Sequence, residues 1–162
     1  VVDAFRRDCH APSRDAERPL NFDPCFRAKV ISVPNPSPAP LCTAIVAEDE
    51  WLVRIDVVEA LEAAGFAARE VESAEDALLL IGEERPHILV TDIRLAGALD
   101  GWSLAEAYRD AHPGGGVVYA SANVPLADRQ VEGSFFFSKP VLMSALVDAC
   151  LGLCAGQDGR PA

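Results

Sequence analysis

From Leu41 onward, apolar residues fall into short blocks of two alternating kinds. Thr43-Ala44-Ile45-Val46-Ala47 and His87-Ile88-Leu89-Val90-Thr91 are near-continuous apolar runs, the habit of strands buried on both faces of a parallel sheet. Between and after them the apolar residues recur at helical spacing. The first such segment predicts a helix from about Glu50 to Ala64, with Trp51, Leu52, Ile55, Val58 and Leu61 on its apolar side and Gly65 as its stop. Phe66 to Val71 predicts a short second strand. Ser73 then caps a second helix, with Asp76 completing a capping-box-like pair and Leu78, Leu79 and Ile81 as its buried side.

The third strand stops abruptly on Asp92, and a helix starting near Gly101 follows, with Leu104, Ala105 and Tyr108 on one side. Gly114-Gly115-Gly116 makes a turn into strand Val117–Ala120. That glycine run precedes a strand instead of opening a helix, so it is no phosphate loop. Phe135-Phe136-Phe137 gives a fifth strand, and Pro140 to Leu153 a last helix with Pro140 at its start. Five βα units with right-handed crossovers predict an α/β fold, a doubly wound five-stranded parallel sheet of flavodoxin-like order 2-1-3-4-5. The fourth unit is short: only thirteen residues separate Ala120 from Ser134, so its helix is expected to have barely two turns.

Residues 1–40 carry no sustained period, and Pro34, Pro36, Pro38 and Pro40 recur at every second position. They predict a mostly disordered extension, ahead of a domain over 41–155 and a tail over 156–162. The net charge of −11 is unevenly placed. Residues 41–162 hold eight basic and twenty acidic side chains, which disfavours nucleic acid or an anionic membrane as partner and suits a divalent cation or a basic protein patch. Cys9, Cys25, Cys42, Cys150 and Cys154 show no metal-binding spacing, and their thiols are expected to be reduced, neither disulfide-bonded nor bound to zinc. No segment is apolar for long enough to span a bilayer, and no signal-peptide core is visible, so the expected location is the cytoplasm.

In such sheets chemistry sits beyond the carboxyl ends of the strands. Those ends deliver Glu48 and Asp49 (first strand), Asp92 (third), Ser121 (fourth) and Lys139 (fifth). The first and third strands are neighbours in this order, so three carboxylates converge and need compensation. Mg²⁺ fits, because it accepts one or two carboxylates, keeps several waters and then takes a phosphoryl oxygen. With Lys139 as a second positive charge and Ser121 as a hydroxyl donor, the set suits phosphoryl transfer to Asp92 as nucleophile.

Ile45-Val46-Ala47-Glu48-Asp49-Glu50, Val90-Thr91-Asp92-Ile93-Arg94-Leu95 with Asp100-Gly101, Tyr119-Ala120-Ser121-Ala122 and Phe136-Phe137-Ser138-Lys139-Pro140 together resemble the four signatures of the receiver domain of two-component response regulators. The resemblance covers about residues 42–155. It implies phosphorylation of Asp92 by a histidine kinase or a histidine phosphotransfer protein. It also implies Mg²⁺ at Asp49, Asp92 and the backbone carbonyl of Arg94, with Glu48 helping directly or through water. Ser121 and Lys139 would grip the phosphoryl group, Phe136 would hold the aromatic switch position, and the Lys139–Pro140 peptide would be cis. Arg94 and Asn123 stand where family members tune hydrolysis of the acyl phosphate.

Two departures stand out: Ala96 replaces a usual proline in a loop one residue longer, and the segment from Ser121 to Lys139 is about four residues shorter than in chemotaxis-type receivers. The latter resembles stand-alone receivers with an abbreviated fourth helix. The expectation is a stand-alone phospho-switch or phosphate sink, not an enzyme in its own right. Its rivals are an aspartyl-nucleophile hydrolase of phosphatase type and an unphosphorylated interaction module. The first characteristically has an acid two residues after the nucleophile, where this chain has Arg94.

Overall fold

In the computed structural model of the protein, the described residues are 42–122, 125–126 and 128–157. They form β1 (Thr43–Ala47), α1 (Trp51–Ala63), β2 (Ala67–Val71), α2 (Ala74–Glu84), β3 (Ile88–Thr91), α3 (Gly101–Ala111), β4 (Gly116–Ser121), β5 (Phe135–Ser138) and α4 (Met143–Gln157). The five strands make one parallel sheet in the order β2-β1-β3-β4-β5, as the alternating pattern predicts. The extension expected over 1–40 lies outside the described residues. So does most of the tail expected over 156–162; Gly156 and Gln157 belong to α4.

Period-two alternation along each central strand divides the core into two layers. Ala44, Val46, Ile88, Val90, Val118 and Ala120 face α1 and α4, where Val57, Leu61, Leu146 and Cys150 meet them. Ile45, Ala47, Leu89, Val117 and Tyr119 face the other way, onto Ala77 and Ile81 of α2 and Trp102, Leu104, Ala105 and Tyr108 of α3. Because β3 is buried at all four positions, its carboxyl end is held rigidly from both sides.

Several local expectations are corrected. In α1 the inward stripe is Val53, Val57 and Leu61 with Val58 beside it, whereas Trp51, Leu52 and Ile55 are exposed. All seven apolar positions fit a helical period, and only the neighbouring layer decides which edge turns inward. In α2 the small residues Ala74 and Ala77 join Ile81 inside, and Leu79 faces solvent. Pro140 belongs to a turn with a cis Lys139–Pro140 peptide, as the resemblance implied, so α4 starts at Met143 and runs past Leu153. Among the described residues no helix separates β4 from β5. In its place Leu126 accepts backbone bonds from Arg129 and Gln130, a single turn.

The expectation of reduced thiols is overturned for one pair. Cys42 and Cys154 form a disulfide across 112 residues of sequence, with Cα atoms 6.3 Å apart, while Cys150 stays a buried free thiol. Cys42 precedes β1, Cys154 lies in the second half of α4, and both point into the same core layer. That proximity is made by the fold and is invisible in linear spacing.

Candidate functional site at the carboxyl edge of the sheet

Each strand end is fixed by a ladder bond that continues one residue past the strand. Glu48 donates its backbone N–H to Val71, Asp92 donates to Ala47, and Lys139 donates to Ser121. These bonds bring the side chains after β1, β3 and β5 to one rim. Glu48 and Asp92 are 3% and 7% exposed, Ser121 is 1% exposed, and Asp49 is open to solvent. One carboxylate oxygen from each of Glu48, Asp49 and Asp92 lies within 4.8 Å of the others.

Lys139 compensates the two buried acids. Its Nζ lies 2.7 Å from Glu48 Oε2 and 2.6 Å from Asp92 Oδ2. Burial pushes the Glu48 carboxyl above its ordinary value, against the pull of Lys139. Burial alone would lower Lys139, but its hydrogen bonds and charge attraction to Asp92 and Glu48 hold it above the usual lysine value. The lysine is therefore a cation at neutral pH. The other oxygen of Asp92, Oδ1, accepts from the backbone N–H groups of Ile93 and Arg94. A carboxylate whose two oxygens are anchored this way presents one fixed face to the rim.

The loop after β3 runs beside the cluster and opens an outward cleft of about 560 Å³ lined by Asp49, Arg94, Leu95, Gly97 and Asp100, among others. It turns into α3 at Gly101, where a Cβ would collide with the Asp92 carbonyl oxygen, so only glycine permits this close approach. Asp100 caps α3 by accepting from Ser103 N–H at 2.8 Å.

The structure thus brings Glu48, Asp49, Asp92 and Lys139 together. Ser121 stands at the end of β4, beside β3 and in register with Ser138. Phe136 sits further back and turns into the α3 layer, stacked on Trp102 with centroids 6.3 Å apart and near Tyr119 at 6.3 Å. Arg94 is exposed, and Asn123 lies outside the described residues.

Three residues escaped the sequence reading. Arg54 of α1 donates from its guanidinium to the Glu48 carbonyl at 2.6 Å and to Glu70 at 3.1 Å, tying down the turn that carries the first acids. Glu75 reaches the loop after β3. Arg129 joins the segment between β4 and β5 to Asp100 and Glu106. Their partners lie 6 to 29 residues away, and no local pattern marks them.

The family profile of the response regulator receiver domain matches residues 44–150. A response regulator receiver protein from Sinorhizobium medicae is 30% identical, with a TM-score of 0.68 over 72% of this chain and 96% of its own. A response regulator receiver domain from Francisella is 22% identical, with a TM-score of 0.63 over 72% of this chain and 98% of its own. A CheY-like response regulator receiver domain protein from Methanospirillum hungatei is 18% identical, with a TM-score of 0.66 over 72% of this chain and 96% of its own. Comparison with curated proteins gives no match. With the profile match running from the first strand into the last helix, and the strand-end acids and lysine gathered at one rim, the chain belongs to the response regulator receiver domain family.

Proposed function

We propose that the chain is a phosphorylatable receiver in which Asp92 accepts a phosphoryl group from a histidine kinase or a histidine phosphotransfer protein. The observation that carries this reading is the buried Asp92 carboxylate itself, held by Lys139 on one oxygen and two backbone N–H groups on the other, beside two further acids. A carboxylate oxygen of Asp92 bonds to phosphorus as the bond from phosphorus to the donor's histidine nitrogen breaks, its electron pair staying on nitrogen.

Asp49, Asp92 and the backbone carbonyl of Arg94 would hold Mg²⁺, with Glu48 joining directly or through water. The donors are hard oxygens, and their spread fits one small divalent cation. Such a cation neutralises charge building on the phosphoryl oxygens. Lys139 then leaves Asp92 Oδ2 for a phosphoryl oxygen, and Ser121 donates its hydroxyl to another. Movement of Ser121 frees space beside Phe136, so the pair shifts as one two-state unit.

The readout is binding of another protein in one state only, or withdrawal of phosphoryl groups from a relay; the chemistry at Asp92 serves the switch and is not a turnover activity. The exposed Trp51, Leu52 and Leu142 support a protein partner. A cleft of about 520 Å³, lined by Val53, Lys139, Pro140 and Met143 among others, opens between α1 and the segment before α4. Among the described residues no helix is long and apolar enough to cross a membrane, which is compatible with a cytoplasmic site of action.

Incubation with acetyl phosphate and Mg²⁺ should add one phosphate by intact-mass measurement, and Asp92→Asn should abolish it. Equal labelling of the variant, or rapid turnover of a small phosphate ester by the wild type, would sink the proposal.

A further inference from the structure

One charged side chain outside the acidic cluster is engaged in a way this reading leaves unused. Glu75 is the second residue of α2, and its Oε1 accepts from the backbone N–H groups of Ala98 at 2.9 Å and Leu99 at 3.2 Å. Both belong to the loop after β3. Its Oε2 is buried without a hydrogen-bond partner among the described residues, and it lies against Gly97. Gly97 has φ +104°, and any Cβ there would run into the Glu75 carboxylate. Ser73, two residues before Glu75, forms a parallel bridge with Ala96.

Four successive loop residues, Ala96 to Leu99, are therefore held by the first turn of α2 and its cap. Two backbone donors sharing one carboxylate oxygen make charge-assisted bonds, stronger than those to water or a neutral acceptor. They hold the Glu75 carboxyl below its ordinary value, the Ala98 bond foremost. The clamped stretch begins two residues after Arg94, and its Gly97, Ala98 and Leu99 line the same cleft as Asp49 and Arg94.

We infer that Glu75 is a positioning residue for the metal-binding loop: by clamping Ala98 and Leu99 from the start of α2, it fixes where Arg94 presents its backbone carbonyl. This inference rests on the reading of Asp92 as a Mg²⁺-dependent phosphoacceptor. Groups that orient metal ligands from outside the coordination sphere cost roughly 10–100-fold in affinity when removed. Glu75→Ala should thus weaken Mg²⁺ binding about tenfold by calorimetric titration. Glu75→Gln retains an acceptor oxygen and should recover most of the loss. Gly97→Ala pushes the same carboxylate away from the loop side and should reproduce it.

Amide exchange of metal-free protein gives a second readout. Ala98 and Leu99 should lose protection in Glu75→Ala while Asp92 and Ile93 keep theirs. If wild-type protein binds Mg²⁺ and both Glu75→Ala and Gly97→Ala bind it equally well, the inference falls alone. Unchanged exchange at Ala98 and Leu99 in Glu75→Ala overturns it too. A wild type that takes up no Mg²⁺ overturns the inference together with the reading beneath it.

Discussion

At Lys139 a single ammonium group balances two carboxylates that burial would otherwise make costly. Its folded-state pKa is raised, so its attraction is complete below the ordinary lysine value of 10.5 and disappears only as pH climbs through the higher folded one. Lys139→Met leaves Glu48 and Asp92 facing each other unpaired. In the absence of metal this should cost roughly 2–3 kcal/mol of stability in urea titrations. Mg²⁺ should restore most of it and bind more tightly than to the wild type, because the variant lacks the competing cation. Weaker Mg²⁺ binding by the variant would mean that the lysine organises the acids instead of competing for them. The residues at this rim were legible because each follows an apolar strand directly, and strand ends in a parallel sheet share one edge. Arg54 and Glu75 were not, since both bond to backbone atoms of turns outside their own helices, and a main-chain donor or acceptor leaves no mark in sequence.

Among the described residues no helix lies between β4 and β5, and two arginines hold that segment against α3. Arg129 spans Asp100, Ser103 and Glu106 on α3, and Arg109 donates to the Glu132 carbonyl at 2.7 Å. Asp100 therefore serves both the cap of α3 and the neighbouring segment. Asp100→Ala should lower stability by about 1–2 kcal/mol. Asp100→Asn keeps the cap and loses only a half-exposed ion pair, about 0.5 kcal/mol. Thermal melts of the two variants should separate accordingly, and equal losses would locate the effect in the ion pair. Burial works to raise the Asp100 carboxyl, but the Ser103 N–H and Arg129 overcome it, so its pKa sits below the ordinary 3.8. The carboxylate's contribution is then present above pH 3.8 and is lost as pH falls through the lower folded value. The short span between Ser121 and Lys139 predicted a helix of barely two turns, whereas the described residues there hold a single turn and an arginine clamp that no local pattern marks. The α1 periodicity admitted two inward edges, and the edge chosen from sequence included three residues that face water. Element type and order follow from local pattern; the facing of a helix follows from its neighbours.

On the scale of the whole sheet, the two rims differ. The carboxyl rim carries the acids and the lysine, whereas at the amino rim Cys42 is joined covalently to α4. Closing a loop of this length restricts the unfolded chain, so Cys42→Ser with Cys154→Ser should cost roughly 2–4 kcal/mol in reversible denaturation. The double variant should still accept phosphate at Asp92, since the bond lies at the opposite end of β1. Loss of labelling in a folded double variant would show that the two rims are coupled. The parallel order, both core layers and the converging acids were all readable from strand spacing, while the disulfide was not: it depends on where α4 ends against β1. The chain's two tryptophans are divided between very different surroundings, Trp51 at 59% exposure on the first turn after Asp49 and Trp102 at 3% against Phe136. Their emission should accordingly separate by colour, the wetter indole to the red and the drier one to the blue. Ion capture and aromatic rearrangement can then be followed as two spectral channels in one unlabelled sample.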